Sequence, residues 1–158
     1  MDRAFRFVAL PAERFATLFE ASDAELRALG ARLERADAKP GFPCRASLQD
    51  AEPGERVVLL PWVHLDVASP YRASGPIYVR EGAVTARPEP GEVPPFLATR
   101  LVSLRAYDGR DLMVDAEAVS GTEVEAGILA LLREDRVKYL QVHNARTGCF
   151  LCGVVREG

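Results

Sequence analysis

The sequence is short of the residue types on which several protein classes depend. It has three cysteines, only two lysines (Lys39 and Lys138) and no long run of apolar residues in 158 positions. Three thiols do not make a disulfide framework, and a chain of this length folds by burying a core. The missing apolar run argues against a secretory signal and a membrane span. We therefore expect a cytoplasmic protein with no membrane partner.

The charge balance argues against nucleic acid as a partner. The chain carries 20 basic and 23 acidic residues, a net charge of −3 and a pI near 5.5. A nucleic-acid-binding domain more often has a basic stripe or a pI above about 9. Nearly all the basic residues are arginines, whose guanidinium groups suit bidentate capture of carboxylate or phosphate. The composition is that of an ordinary globular protein, and we expect one domain over residues 1–158.

Hydrophobic periodicity and capping signals predict an α+β fold, a mostly antiparallel sheet with a few helices packed on it. The clearest strand is Leu101–Tyr107, where apolar and polar residues alternate. Ser22 and Glu25 have the spacing of a helix capping box, and a further helix is predicted after Thr122. Other strands are predicted at residues 5–10, 56–67, 77–80, 112–114, 137–143 and 149–155. Short helices are predicted after Pro11 and at Pro95.

Two histidines and the only asparagine are the first candidates for a functional site. His64 and His143 each lie at the polar end of an apolar strand, and Asn144 follows His143 just before a turn. A histidine at such a place is also compatible with a buried structural role. Asparagine tolerates turn geometry, which gives Asn144 an equally simple structural explanation.

The cysteines do not have the spacing of a metal or redox site. Cys149 and Cys152 are three residues apart in a predicted strand, which places their side chains on opposite faces. Cys44, His64, His143 and Cys149 have suitable zinc-ligand types but no knuckle spacing, so we expect no metal. Cys44 and His143 have the residue types of a nucleophile and its base, without a local signature. No phosphate-binding loop is present, and no cofactor is expected.

Four segments together are similar to a known family. They are KPGFPCR (residues 39–45), SPYRAS (69–74), SLRAYD (103–108) and HNARTGC (143–149). The chain resembles the bacterial family called domain of unknown function 1203, over essentially its whole length. The resemblance implies no activity. It places eight residues in the recurring segments of the family: Cys44, Arg45, Arg72, Ser74, Arg105, His143, Asn144 and Cys149. Cys152 looks like an addition of this sequence.

These segments lie in predicted turns and at strand ends, where functional groups gather on a rigid sheet. If they converge, they form a positive pocket for a small carboxylate or phosphate. The expected ligand-binding residues are Arg45, Arg72, Ser74, Arg105 and Asn144. If the protein is an enzyme, which the sequence leaves open, Cys44 or His143 is the expected catalytic group.

Two other interpretations of the same residues remain. The arginines can merely tie loops to carbonyl groups, or the protein can be a non-enzymatic module that binds a protein partner through its proline-rich loop and an apolar patch. The oligomeric state is not indicated. For the anion pocket we further expect Cys44 to approach His143 or Cys149, whereas Cys149 and Cys152 should not pair.

Overall fold

Eight strands form two antiparallel sheets in the computed structural model of the protein, which describes residues 5–158. The strands are β1 (Phe5–Val8), β2 (Arg32–Arg35), β3 (Arg56–Leu65), β4 (Ala73–Arg80), β5 (Leu101–Tyr107), β6 (Met113–Ser120), β7 (Tyr139–Asn144) and β8 (Phe150–Arg156). The α-helices are α1 (Asp23–Ala28) and α2 (Val124–Leu132). Short 3-10 segments lie at Ala12–Arg14, Ala16–Glu20, Pro95–Leu97 and Gly121–Glu123.

The larger sheet has the strand order β1-β8-β7-β5-β6, and the smaller sheet has the order β2-β3-β4. Every pair of neighbouring strands in both sheets is antiparallel. The α+β class with antiparallel strands and a few packed helices is thereby confirmed. The sequence predicted seven of these eight strands, all except β2, and it did not predict that they divide between two sheets.

The helix predicted after Pro11 does not form as one continuous α-helix. Two 3-10 segments replace it, because Phe15 between them has φ −119°, outside the range of a continuous helix. The predicted cap of α1 is present, since Ser22 Oγ accepts a hydrogen bond from the Glu25 N–H at 3.1 Å. Gly30 follows this helix with φ +68°, as a closing glycine should.

A hydrophobic core lies on each sheet. Helix α2 packs on one face of the larger sheet, where Ile128 and Leu104 are fully buried. The smaller sheet buries Val58 and Ile77 under the 3-10 segments near the N-terminus. Phe150, from β8 of the larger sheet, belongs to this second core and so connects the two sheets.

An irregularity in β8 explains how one strand serves both cores. Cys152 pairs with Val142, but Phe150 instead of Leu151 pairs with His143. Leu151 is thus an extra residue, as in a β-bulge, and it joins Cys152 in the first core while Phe150 enters the second. The turn that precedes Phe150 therefore lies where the two sheets meet.

Within residues 5–158, no helix combines the length and apolar character needed to cross a bilayer.

Candidate functional site

A cleft of about 490 Å³ opens between the loop that follows β2 and the turn that joins β7 to β8. This volume is within the range of small-molecule sites. Among residues 5–158, three arginines and no carboxylate line it. The lining residues are Pro40, Gly41, Pro43, Arg45, Tyr78, Arg100, Asn144, Arg146, Thr147 and Cys149.

The loop that carries Arg45 is fixed against β4. Pro43 forms an antiparallel bridge with Asp50 inside the loop, and Cys44 forms a parallel bridge with Tyr78 of β4. The Arg45 N–H donates to the Tyr78 carbonyl at 3.0 Å. The loop therefore behaves as a short extension of the smaller sheet, and Arg45 is held in place by backbone bonds.

Arg45 is a buried cation without a carboxylate partner. Its side chain donates from Nε to the Phe150 carbonyl at 2.7 Å and from Nη1 to the Pro43 carbonyl at 2.6 Å. The residue is 3% exposed. Burial lowers the pKa of Arg45 to about 10, so the guanidinium stays protonated at neutral pH.

The third nitrogen of this guanidinium has no protein partner within residues 5–158. Arg45 Nη2 has no hydrogen-bond partner among the described residues. In that part of the chain, Glu34 Oε2 is the one fully buried side-chain oxygen or nitrogen without a partner. Nη2 therefore keeps contact with solvent, and the cleft is the opening that Arg45 lines.

Arg100, in contrast, is neutralised. Its Nη1 and Nη2 donate to the two carboxylate oxygens of Asp50 at 2.9 and 2.5 Å, and Nη1 also donates to the Phe96 carbonyl. Both charged side chains are less than a tenth exposed. Asp50 and Phe96 also line a neighbouring cavity of about 430 Å³, so this ion pair lies between the two cavities.

The turn between β7 and β8 supplies the opposite wall. Its backbone is closed by hydrogen bonds from Asn144 N–H to the Cys149 carbonyl and from Gly148 N–H to the Asn144 carbonyl, both at 2.8 Å. Gly148 has φ +80°, which a glycine adopts without strain. Asn144 Oδ1 accepts from the Arg146 N–H at 3.0 Å, while Nδ2 has no partner within residues 5–158. The Arg146 side chain is exposed.

The structure brings together only part of the predicted site. Arg45 and Asn144 line the cleft, and the segments that begin at Lys39 and His143 form its two walls. Arg72 and Ser74 are exposed residues outside it, and Arg72 forms an ion pair with Asp66. The four segments therefore do not share this site.

The other two segments meet at the opposite end of β7. Ser69 Oγ donates to the Asp111 carbonyl at 2.8 Å, and the Tyr139 hydroxyl donates to Asp111 Oδ1 at 2.7 Å. Tyr107 stacks on Tyr139 with ring centroids 5.1 Å apart. Arg105 precedes this region on β5, is half-buried and does not line the cleft.

The two predicted catalytic groups are inside the protein. Cys44 Sγ accepts hydrogen bonds from the N–H groups of Ser47 and Arg80, each at 3.3 Å, and the residue has no exposed surface. His143 is equally buried, and burial lowers its pKa to about 4. Neither side chain lines the cleft.

The histidine is part of an internal network. His143 Nδ1 is 3.0 Å from the Gly148 carbonyl, and Nε2 is 3.0 Å from Gln141 Oε1. The same amide oxygen is 2.9 Å from His64 Nδ1. His143 thus supports the turn that carries the cleft wall without entering the cleft.

The three cysteines are free thiols in three different environments. Cys152 is fully buried, and burial raises its pKa. Cys149 and Cys152 do not pair, and Cys149 precedes strand β8 instead of lying in it as predicted. Cys149 is half-buried and is the cysteine that lines the cleft. Residues 5–158 contain no group of three or more His, Cys, Asp or Glu side chains arranged to hold a metal ion.

Sequence reasoning missed Tyr78, Arg100 and Arg146. Arg146 lies inside the segment HNARTGC, and its place in a turn beside Asn144 was a usable signal. Arg100 gave no local signal, because its partner Asp50 is distant in sequence. Tyr78 enters the cleft only because the loop containing Cys44 docks on β4.

Comparison with known proteins gives a family and no function. No curated protein and no solved structure matches the chain at a significant level. The family described as "Protein of unknown function (DUF1203)" matches residues 41–156, a span that includes every residue lining the cleft except Pro40. The resemblance seen in the four segments is thereby confirmed, and the chain belongs to the DUF1203 family.

Proposed function

We propose that the protein binds a small molecule bearing a carboxylate or phosphate group in the cleft. The observation that carries this proposal is the Arg45 guanidinium, which lines the cleft, is buried and charged, and has neither a carboxylate partner nor any partner for Nη2 among residues 5–158. Burying a charge without a counterion is costly. A bound anion supplies the missing counterion.

The surrounding groups fit the same ligand. Asn144 Nδ2 offers a neutral donor, and Arg146 adds a second positive charge at the mouth of the cleft. Arg45 is held by two carbonyl groups before any ligand arrives, so little conformational entropy is lost on binding. Hydrogen bonds from a charged guanidinium to an anion are among the stronger ones in proteins.

The proposal concerns binding and assigns no reaction. Cys44 and His143 are buried away from the cleft, so they have no access to a ligand held there. The alternative of a protein-interaction module has less support. The most exposed large apolar residues, Val84, Leu29 and Leu101, belong to three different segments of the chain.

Titration with inorganic phosphate and with succinate tests the proposal. Calorimetry gives the affinity, and the ¹⁵N resonance of Arg45 Nε reports whether the anion reaches this side chain. We expect saturable binding of at least one probe, weaker at high ionic strength.

Two variants of the cleft and one outside it make the test specific. Asn144→Asp keeps the oxygen that accepts from Arg146 N–H but adds a negative charge, so affinity should fall about tenfold or more. Arg146→Gln should weaken binding severalfold. The matched control is Arg72→Gln, which removes the same charge outside the cleft and should leave affinity unchanged. Absence of saturable binding, or equal losses in the Arg72 and Asn144 variants, would refute the proposal.

A further inference from the structure

The three thiols differ sharply in their access to solvent. Cys44 and Cys152 have no exposed surface, and both are enclosed by core residues. Cys149 is half-buried on the cleft wall. In the part of the chain that the structure describes, its sulfur makes one long hydrogen bond, which it donates to the Thr147 carbonyl at 4.0 Å. A dissolved reagent can therefore reach one of the three sulfurs in the folded protein.

The position of this thiol is fixed relative to Arg45. The closed turn holds Cys149 through its carbonyl, which accepts from Asn144 N–H. The next residue, Phe150, accepts a hydrogen bond from Arg45 Nε. Cys149 and Arg45 thus line the same cleft.

We propose that Cys149 forms a reversible mixed disulfide with a small disulfide that carries carboxylate groups. The Cys149 thiol loses its proton, and the thiolate attacks one sulfur of the incoming disulfide. The bond between the two sulfurs of that molecule breaks as the new bond to Cys149 forms. The departing thiolate takes up a proton, so one thiol and one disulfide are exchanged and no further oxidant is needed. Excess small thiol reverses the reaction.

The preference for a negatively charged reagent follows from the lining of the cleft. Arg45 and Arg146 supply positive charge, and none of the described residues that line the cleft is a carboxylate that would repel the reagent. Such a field raises the local concentration of anions and the rate of their encounter with the thiol. This selectivity rests on the proposed anion-binding function, whereas the accessibility of Cys149 does not.

Three disulfides of different charge test the inference on the intact protein. Oxidised glutathione carries carboxylates, 2-hydroxyethyl disulfide is neutral, and cystamine is cationic. Mass spectrometry measures the rate of adduct formation and maps the position of the adduct. The reaction of each reagent with N-acetylcysteinamide, a small free thiol, gives a reference rate, and the normalised rate is the protein's rate divided by this reference. We expect a single adduct at Cys149, with a normalised rate about tenfold higher for oxidised glutathione than for the neutral disulfide.

Variants separate the effect of charge from accessibility. Arg146→Gln should slow oxidised glutathione and leave the neutral disulfide unchanged, while Arg72→Gln should change neither rate. Cys149→Ser should abolish the adduct. Equal normalised rates for the three reagents, or no adduct at Cys149 in the folded protein, would overturn the inference.

The two proposals can fail independently. Phosphate titration of Cys149→Ser measures anion binding in the absence of the thiol. If this variant binds phosphate while wild-type Cys149 stays unmodified, the inference is wrong and the anion site stands. If it binds neither phosphate nor succinate, the anion site is wrong, and the charge preference of Cys149 should be lost with it.

Discussion

At the scale of single residues, His143 shows how burial can oppose hydrogen bonding. Each ring nitrogen lies 3.0 Å from an oxygen, the Gly148 carbonyl on one side and Gln141 Oε1 on the other. The Gln141 amide nitrogen donates to the His64 carbonyl at 2.7 Å, which sets the orientation of the amide. A neutral imidazole has one N–H and can satisfy only one of the two oxygens. Burial nevertheless keeps His143 neutral, since its pKa is lowered to about 4.

This balance predicts loss of stability in acid. Unfolded His143 takes up a proton near its ordinary pKa of 6.5, but the folded protein does so only near 4. Between these values the unfolded state holds more protons, so the free energy of unfolding falls as the pH falls, by about 3 kcal/mol from this residue. Urea denaturation at pH 7 and pH 4.5 measures the effect in wild type and in His143→Asn. The variant should lose clearly less stability than wild type over this interval, and parallel losses would contradict the assignment.

The residue scale also shows what sequence can reveal about the site. Asn144 was predicted because it follows an apolar strand just before a turn, and Arg45 was predicted because it stands in a segment that resembles the family. Cys149 was considered as one of two closely spaced cysteines, as a possible zinc ligand and as part of a family segment, whereas Cys44 was the thiol expected to be reactive. In the structure Cys149 lines the cleft, whereas Cys44 has no exposed surface because its backbone bridge to Tyr78 holds it in the core. That bridge joins residues distant in sequence, and no local pattern indicates it.

At the scale of elements, the start of α2 depends on a close backbone approach. A Cβ at Gly121 would lie 1.6 Å from the Leu97 carbonyl oxygen. Gly121 N–H also donates to the Arg100 carbonyl at 2.7 Å. The 3-10 segment Pro95–Leu97 and the 3-10 turn that leads into α2 are therefore in direct backbone contact.

Gly121→Ala should accordingly destabilise the protein by about 3 kcal/mol, because a backbone carbonyl cannot move aside as a flexible side chain can. Gly75→Ala is the matched control, since a Cβ there meets nothing within 4 Å and the residue lies in strand β4. Thermal unfolding followed by circular dichroism compares the two. Similar melting temperatures for both variants would show that the contact relaxes at little cost.

Elements with strong local signals were predicted well. Strand β5 has the predicted bounds, Leu101–Tyr107. Its apolar and polar residues alternate, which is the pattern of a strand with one buried face and one polar face. Strand β2 was not predicted, since Arg32–Arg35 contains a single apolar residue, Leu33. It is a strand because it pairs with β3, from Arg32 opposite Leu59 to Arg35 opposite Arg56. Tertiary pairing overrides weak local propensity in such an edge strand.

At the scale of the whole molecule, the cleft lies at the junction of the two sheets. One wall belongs to the loop docked on the smaller sheet, and the other is a turn of the larger sheet. The partition into two sheets depends on strand pairs far apart along the chain, such as β1 with β8. Sequence patterns gave the elements and some site residues, but this long-range pairing decides which of those residues meet.

Arg45 joins four separate segments of the chain. Besides its bonds to Pro43, Tyr78 and Phe150, its carbonyl accepts from the Leu10 N–H at 2.9 Å. Because these bonds connect both sheets, they do not all break when only one sheet opens. The Leu10 amide should therefore exchange its hydrogen only when the whole protein unfolds. An anion held on Arg45 stabilises that folded state and would slow exchange at Leu10, which does not line the cleft. Deuterium uptake at this amide, which lies outside the cleft, would thus report occupancy of the site.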